Sequence, residues 1–391
     1  MDNLELALMK LIKSGLTGKN LGQIDVEGID AEQLFGLAKR HHLGAIVYYG
    51  ALISQVKLPE NVFQKLEALT YKLLAISVKQ GVELERISES FEKSGIDHMP
   101  LKGSVIKQYY PKPEMRYMSD MDILIKNEQI NKFSDVMNEL GYTYKYESNH
   151  EIVWEKVPVF IELHKHLIPT YNVDLCKYYR DDWNYAKKKS NKQHTFELTL
   201  EDLYIYSFTH FAKHYRDAGA GIKYLLDIYL LDELDRDENY IEEELKKLQL
   251  FEFYGNIKEL LAVWFDGKTE TEMSKFLTEF IFKSGAYGTK EFRSMASTLR
   301  IPGDSAHKKL LKKRLKLFFP PYSHMKERYK FVKWCPILLP VGWLCRIVYT
   351  IFAKRDYTAK TIKNLKNHTA KSVDNYKDAL EYVGLSYYTE E

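Results

Sequence analysis

The sequence predicts an α+β protein in which a small mixed-sheet core lies between N-terminal and C-terminal helical regions. Apolar residues recur at helical spacing before residue 95 and again after residue 170, whereas residues 96–170 contain short alternating runs typical of strands. At 391 residues the chain also exceeds the usual size of one domain. We therefore expect four regions: 1–95 helical, 96–170 the mixed-sheet core, 171–304 helical, and 305–391 basic and apolar helices.

The individual elements follow from these periods and from the residues that end them. Residues 60–93 form a long predicted helix, because Pro59 stands where a helix start tolerates proline and Ser94-Gly95 closes the end. The other predicted helices are 4–12, 31–49, one or two turns at 105–110, 127–140, 200–215, 222–234, 241–248, 253–265, 273–283 and a final amphipathic stretch at 357–382. The predicted strands are 96–101, 119–125, 142–146, 150–154 and 157–163.

Composition and charge limit the classes of function. Hydrophobic residues make up 45% and charged residues 28% of the chain, and the net charge of +3 is too small to indicate nucleic acid as a partner. Cys176, Cys335 and Cys345 form no short-spaced pair, which argues against a disulfide framework or a cysteine zinc site and favours a reducing cytoplasm. The N-terminus carries acid where a signal peptide carries positive charge, so we expect an uncleaved, cytoplasmic protein.

Two aspartates stand on one face of the predicted strand 119–125. Asp120 and Asp122 alternate with Met121, Ile123 and Ile125, so the apolar side chains can enter a core while both carboxylates project from the opposite face. Two like charges at this spacing repel, and a cation between them relieves that repulsion. The pair therefore indicates a metal site.

A second strand repeats this pattern. In residues 157–163 the odd positions face inward, while Glu162 and the following His164 face outward. If this strand lies beside the first, Glu162 joins Asp120 and Asp122 as a third carboxylate. Such a site suits two Mg²⁺ or Mn²⁺ ions, roughly 3.5–4 Å apart, that activate an attacking hydroxyl and stabilise a leaving phosphate.

Taken alone, the aspartate pair has a simpler interpretation, since such pairs on a strand edge are common and merely solvated. The residues before it favour the functional one. Gly103 and Ser104 end a strand and open a short helix, where backbone N–H groups can hold phosphate. Lys102 adds a positive charge, and Arg116 adds a bidentate phosphate donor.

The order Lys-Gly-Ser, Arg, Asp-x-Asp and a later strand Glu resembles the polymerase-β-like nucleotidyltransferase superfamily. More narrowly, the chain looks like the bacterial family labelled "uncharacterised nucleotidyltransferase". The matching segments here are 101–103 (Leu-Lys-Gly), Arg116 with 120–122 (Asp-Met-Asp), and 162–164 (Glu-Leu-His). The resemblance implies a polymerase-β-like fold for the core, bound metal ions and an NTP, and it leaves the acceptor open.

The same resemblance extends to a pair of downstream helices. Proteins of that family have a His…Lys-His…Leu-Asp pattern, which is matched here by His210, Lys213, His214, Leu226 and Asp227. It implies that these helices face the carboxylates across a cleft and contact nucleotide or acceptor. The competing interpretation is that the histidines pack against other helices and that Asp227 caps or pairs locally.

His210 and His214 also stand four residues apart, a spacing that can bind zinc. No glutamate follows His210 as in the H-E-x-x-H motif, and the sequence offers no evident third ligand. Packing or capping is therefore a better interpretation of this pair than zinc binding.

Two segments near the C-terminus raise the question of membrane contact. Residues 308–316 hold six basic residues and a leucine stripe, a face that is usually solvated but also suits anionic membrane or a phosphorylated or nucleic-acid partner. Residues 334–345 carry no charge but are too short, and too interrupted by proline, for a spanning helix. Buried packing and peripheral membrane docking through 308–352 remain as alternatives.

These observations predict a transferase. We expect a metal-dependent nucleotidyltransferase that moves an NMP from an NTP, ATP foremost, to a hydroxyl of a small molecule, sugar or protein and releases pyrophosphate. Asp120, Asp122 and Glu162 are the expected catalytic and metal-binding residues, and Lys102, Gly103, Ser104 and Arg116 the expected nucleotide-binding residues. The rivals are a catalytically silent nucleotide-binding module and a membrane-surface adaptor. No Walker A, G-x-S-x-G or G-x-G-x-x-G motif supports an ATPase, a hydrolase or a Rossmann enzyme.

Overall fold

The computed structural model describes residues 1–22, 24, 28–353 and 368–387 and divides into two compact units. The first unit comprises residues 1–215 and 219–288, and the second comprises residues 216–218 and the chain from residue 289 onward. The α+β class predicted from the sequence is confirmed, with a mixed sheet in the first unit. The division into four regions stays a prediction.

The N-terminal helices of the first unit largely match their predicted positions. They are α1 (Asn3–Thr17), α2 (Ala31–Arg40), α3 (Gly44–Ile53) and α4 (Glu60–Lys93). The predicted stretch 31–49 is wrong in one respect, since it contains two helices instead of one. His42 adopts a left-handed backbone with φ 59°, which a continuous α-helix does not tolerate.

Five strands form the mixed sheet of the first unit, in the order β1-β2-β5-β4-β3. β2 and β5 run parallel, whereas the other neighbouring pairs are antiparallel. Asp122 of β2 lies directly beside Glu162 of β5 in this register. The strands are β1 (His98–Pro100), β2 (Met121–Ile125), β3 (Thr143–Glu147), β4 (Glu151–Lys156) and β5 (Val159–His164).

The hydrophobic core of the first unit packs against one face of this sheet. Met121, Ile123 and Ile125 from β2 are fully buried there together with the odd-numbered residues of β5. Phe91 of α4 and Phe133 of a helix at Ile130–Glu139 cover them. Because side chains alternate along a strand, burying the odd positions turns Asp122, Glu162 and His164 to the other face.

The chain continues through further helices up to residue 284, of which the helix at Ile130–Glu139 packs against the hydrophobic face of the sheet. They are α5 (Gly103–Ile106), α6 (Ile130–Glu139), α7 (Val173–Tyr178), α8 (Leu200–Ala218), α9 (Ile222–Asp232), α10 (Glu238–Lys247), α11 (Phe251–Phe265) and α12 (Glu272–Ser284). A small antiparallel pair, β6 (Lys187–Lys188) and β7 (Phe196–Glu197), was not predicted. Strands of two residues leave too little periodicity to detect.

The second unit is helical in its described part. Its helices are α13 (Lys290–Leu299), α14 (Ala306–Phe318), α15 (Tyr322–Arg328), α16 (Lys330–Trp334), α17 (Leu339–Ala353) and α18 (Ala370–Tyr382). The predicted stretch 357–382 is observed as α18, while its part at 357–367 lies outside the described residues. Among the residues described, no helix combines the length and the apolar character needed to cross a membrane.

Candidate active site

Three carboxylates converge on the polar face of the sheet. Asp122 and Glu162 are register partners on parallel strands, and Asp120 immediately precedes β2. Asp122 is buried, whereas Asp120 and Glu162 are half-buried. The Ser119 hydroxyl donates to Asp120 Oδ2 at 3.0 Å. The structure thus brings together the three acids that the sequence singles out.

Asp122 already has two partners. Lys102 Nζ and His164 Nε2 both lie 2.6 Å from its Oδ1 atom. Burial alone would raise the pKa of Asp122, but the Lys102 charge and the His164 hydrogen bond hold this pKa well below its usual range. Because an ionised carboxylate only accepts, His164 donates from Nε2, and its Nδ1 faces His150 Nε2 at 3.0 Å.

Asp120 and Glu162 lack such compensation. Burial raises the pKa of Glu162, and the neighbouring Asp120 and Asp122 charges raise it further. Burial and the Asp122 charge raise the pKa of Asp120 in the same direction. An added cation would stabilise the ionised form of both groups.

The donor atoms suit such a cation. The ligand atoms of Asp122, Glu162 and His164 lie within 4.8 Å of one another. Carboxylate oxygens are the ligands that Mg²⁺ prefers, and a mixed oxygen and imidazole set also suits Mn²⁺. The residues present therefore fit the divalent ions expected from the sequence.

Arg116 and Asp227 form a buried ion pair between the core and helix α9. Arg116 donates from Nε to Asp227 Oδ1 at 2.6 Å and from Nη2 to Oδ2 at 2.7 Å. The Tyr110 hydroxyl also donates to Asp227 Oδ1 at 2.7 Å. The sequence indicated Arg116 as a phosphate donor and Asp227 as a cleft residue, but it did not indicate that they bind each other.

A cavity of about 240 Å³ joins the carboxylates to helices α8 and α9. Asp120, Asp122 and Glu162 line one side of it. The other walls include Gly103, Arg116, His210, His214, Lys223 and Asp227. Gly103 permits this geometry, because a Cβ atom there would lie 2.7 Å from Met118 Sδ.

Lys223 was not predicted, although it stands four residues before Asp227 and so shares one face of α9 with it. Its Nζ atom lies 4.3 Å from the centre of the Tyr287 ring and 5.0 Å from that of Tyr224. No carboxylate in the described part of the chain forms an ion pair with it. Burial lowers the pKa of Lys223 to about 7, and the Arg116 charge contributes.

The rim of the cavity is aromatic. Tyr117 and Tyr287 both line it, and the His42 ring contacts both. His42 stacks on Tyr117 with ring centres 4.4 Å apart and meets Tyr287 edge-on at 5.1 Å. Flat rings at a cavity mouth offer a stacking surface for a nucleobase.

The predicted cleft histidines lie in this cavity. His210 and His214 approach within 3.1 Å through their Nε2 atoms, and Tyr224 stacks on His214. Burial lowers both pKa values well below the usual histidine range, so the rings are neutral near pH 7. Within the described residues, neither histidine belongs to a group of three potential metal ligands.

Two predicted residues lie elsewhere. The Ser104 side chain lines a separate cavity, and its buried hydroxyl has no hydrogen-bond partner among the described residues. Its backbone N–H donates to the Leu101 carbonyl, so the turn leaves this amide unavailable for phosphate. Lys213 is buried and does not line the cavity that contains the carboxylates.

Comparison with known proteins identifies the family. A family model described as uncharacterised nucleotidyltransferase matches residues 27–266, which is more than half of the chain. The chain belongs to this nucleotidyltransferase family. Among solved structures it is similar to the antibiotic-resistance factor ANT(2'')-Ia at 10% identity and a TM-score of 0.32, covering 47% of this chain and 97% of that one. That similarity is too slight to support an argument, and no curated protein matches the sequence.

Removing Asp227 should destabilise this nucleotidyltransferase. In Asp227→Ala, the Arg116 guanidinium stays buried without its carboxylate, which should lower the free energy of unfolding by roughly 3–5 kcal/mol. Urea denaturation followed by circular dichroism measures the change. Glu272→Ala, which breaks the exposed pair with Lys275, is the control and should not shift the transition. A similarly small effect for Asp227→Ala would show that the pair does not hold the site together.

Proposed function

We propose that this chain transfers a nucleoside monophosphate from an NTP, with ATP as the first candidate, to a hydroxyl acceptor and releases pyrophosphate. The observation that carries the proposal is the convergence of Asp120, Asp122 and Glu162 in a cavity that also contains a lysine ammonium without a carboxylate partner. Acidic and cationic groups that line one cavity suit a substrate that binds through both metal and phosphate.

The three carboxylates would hold the metal ions. Two Mg²⁺ or Mn²⁺ ions bound there would supply charge neutralisation at the reacting phosphate and activation of the hydroxyl. His164 would keep Asp122 oriented through its 2.6 Å hydrogen bond. Lys102, on the same oxygen, would limit the negative charge of the cluster.

The reaction needs one proton to move. The acceptor oxygen forms a bond to the α-phosphorus, the bond from that phosphorus to the bridging β-phosphate oxygen breaks, and pyrophosphate leaves. Glu162 would either complete a metal site or, where no ion holds it, take the hydroxyl proton, because its carboxylate lines the cavity.

Binding of the NTP triphosphate would depend on positively charged side chains. The N–H groups of Ser104 and Val105 are used within their own turn, which leaves little of the backbone grip expected from the sequence. Lys223 faces the same cavity as Gly103 and has no competing carboxylate in the described chain. Arg116 also lines the cavity, but Asp227 neutralises its charge. Ser104 is left out of this grip.

The acceptor would need further room. A site for one small molecule usually encloses about 300–1,000 Å³. The cavity of about 240 Å³ is therefore too small to hold both the NTP and the acceptor. A neighbouring groove of about 610 Å³ shares Tyr117 with the cavity and is lined by Lys39, Arg40 and Lys72. A hydroxyl acceptor with negative charge would suit this groove.

The alternative is a nucleotide-binding module without turnover. The complete set of three carboxylates favours an enzyme, because binding alone does not require a base beside the metal ligands. A silent module would bind NTP without transferring label from the α-phosphate. Incubating the full chain with Mg²⁺, an α-labelled NTP and a pool of hydroxyl metabolites separates the two.

Neutralising one aspartate should abolish this transfer. Asp122→Asn or Asp120→Asn should reduce metal-dependent label transfer by about 100-fold or more, because each removes a charge that holds the ions. Thermal unfolding of Asp120→Asn should be unchanged or shifted upward, since repulsion within the cluster decreases. Asp122→Asn should unfold at a lower temperature, because Lys102 and His164 lose their anionic partner. Asp135→Asn, at an exposed position of helix α6, is the matched control and should retain full activity. Near-normal turnover by either site variant at saturating Mg²⁺ would refute the assignment.

Lys223→Met should weaken binding of a non-hydrolysable NTP by roughly tenfold or more, as expected for loss of a charge-assisted contact. The pKa of Lys223 is about 7 in the chain without nucleotide, and a bound phosphate favours the charged ammonium. The affinity of the wild-type chain for the NTP should therefore fall as the pH rises above 7. Calorimetric titrations between pH 6 and pH 9 measure both effects.

In Lys223→Met the part of the pH dependence due to this lysine should disappear, while AMP, which lacks the β- and γ-phosphates, should bind nearly as in wild type. Lys132→Met, on the exposed side of α6, should behave as wild type. Equal NTP affinity and an unchanged pH profile for Lys223→Met would exclude this lysine from the grip.

A further inference from the structure

Helix α17 exposes an uncharged apolar face. Val341, Leu344, Val348 and Phe352 follow each other at spacings of three or four residues, so they share one side of the helix. All four are exposed, Leu344 to 64% and Phe352 to 80%. We call these four residues the α17 face.

The opposite side of α17 is packed within the second unit. Trp343 Nε1 donates to the Pro320 carbonyl at 2.9 Å, and Arg346 Nη1 donates to the Leu317 carbonyl at 2.6 Å. Gly342 lies so close to Val332 that a Cβ atom there would be 2.8 Å from its Cγ2 atom. Arg346 is the one charged residue of α17, and its side chain points to the packed side of the helix. The outer face of α17 therefore carries no charge.

The apolar surface continues in the segment before α17. Trp334, Ile337 and Phe352, exposed to 88%, 86% and 80%, are the three most exposed large hydrophobic side chains of the described residues. On α14, Leu311, Leu315 and Phe318 are likewise exposed. Large apolar side chains that are exposed on several neighbouring segments of one unit indicate an interaction site.

The segment that carries these apolar residues is strongly basic. Residues 306–353 contain eleven Lys or Arg residues and one acid, Glu327, a net charge of +10. The whole chain carries +3, so the rest carries −7. The exposed Lys316, Lys326, Lys330 and Lys333 pair with no carboxylate among the described residues. The guanidinium of Arg328 lies 5.3 Å from the Tyr349 ring, at the edge of the α17 face.

We propose that the second unit docks on an anionic lipid surface, with the α17 face, Trp334 and Ile337 in the headgroup boundary and the surrounding cations on lipid phosphates. An apolar face bordered by lysines is the arrangement that binds in the plane of a charged membrane. Tryptophan is favoured at that boundary. α17 lies on the surface and does not cross it, since no described helix is long and apolar enough to span.

The positive charge of this segment favours a membrane over a protein as the partner that binds the α17 face. A protein interface core is usually depleted of charge, and lysine is depleted there in particular. Here Lys316, Lys326, Lys330 and Lys333 are exposed, and none of them forms an ion pair with a carboxylate among the described residues. Each such residue near an anionic bilayer adds to the attraction. This docking is independent of the proposed transfer reaction.

Vesicle sedimentation with the full chain tests the proposal. The protein should pellet with vesicles containing about one-third phosphatidylglycerol, pellet much less with pure phosphatidylcholine, and be released as salt rises. Leu344→Ser with Phe352→Ser should lower the partition coefficient by roughly tenfold or more, because both side chains lose their apolar contact with lipid. Lys326→Gln with Lys330→Gln should lower it for anionic vesicles only.

The control replaces two equally accessible valines in the first unit. Val78 and Val82 on α4 are exposed to 59% and 60%, and Val78→Ser with Val82→Ser should leave vesicle binding unchanged. Brominated lipid should quench wild-type tryptophan fluorescence more than that of Trp334→Phe. Circular dichroism confirms that each variant is folded.

Three results would overturn the proposal. The first is failure of the wild-type chain to bind anionic vesicles at low salt, and the second is binding that the Leu344→Ser/Phe352→Ser variant retains. The third is a dimer, or a complex with an RNA oligonucleotide, that forms without vesicle binding and is lost in the same variants. That result would assign the surface to a second copy or to nucleic acid.

Discussion

The need to compensate three carboxylates on one face of the sheet shapes the candidate active site. Asp122 and Glu162 are register partners on parallel strands, so the hydrogen-bonded ladder sets the separation of their Cα atoms. Their carboxylates can move apart only by side-chain rotation. Burial makes the repulsion stronger, since low dielectric weakens screening. Lys102 and His164 satisfy Asp122, whereas burial and the neighbouring carboxylates raise the pKa values of Asp120 and Glu162, so that an added cation would stabilise their ionised forms.

The helices after the sheet supply positive charge in two forms. Arg116 is neutralised by Asp227, which ties the core to α9 and fixes the guanidinium at the cavity wall. Lys223, on the same face of α9, forms no ion pair with a carboxylate among the described residues, and burial lowers its pKa to about 7. Asp227, which pairs with Arg116, and Lys223, which has no such partner, thus lie four residues apart on α9. The first residue has a structural role, and the second is available for a substrate in the proposed reaction.

Much of the sheet was predictable because a period of two determines which side chains are buried. That period placed the two aspartates and Glu162 on one face correctly. The Arg116–Asp227 pair spans 111 residues of sequence, so no local pattern reveals it. Ser104 was assigned to the phosphate grip by its motif, but the one-turn helix α5 directs its hydroxyl into another cavity. Lys223 could have been found from its spacing to Asp227.

Counting bound metal ions tests the central claim most directly. We would titrate Mn²⁺ into the full chain with a non-hydrolysable NTP and follow free ion by electron paramagnetic resonance. If Asp120, Asp122 and Glu162 form a shared metal site, about two ions should bind per chain, and Mg²⁺ should displace them. Replacing Glu162 by Gln should weaken binding without unfolding the chain. Absence of bound Mn²⁺ at concentrations that saturate the nucleotide would contradict the account.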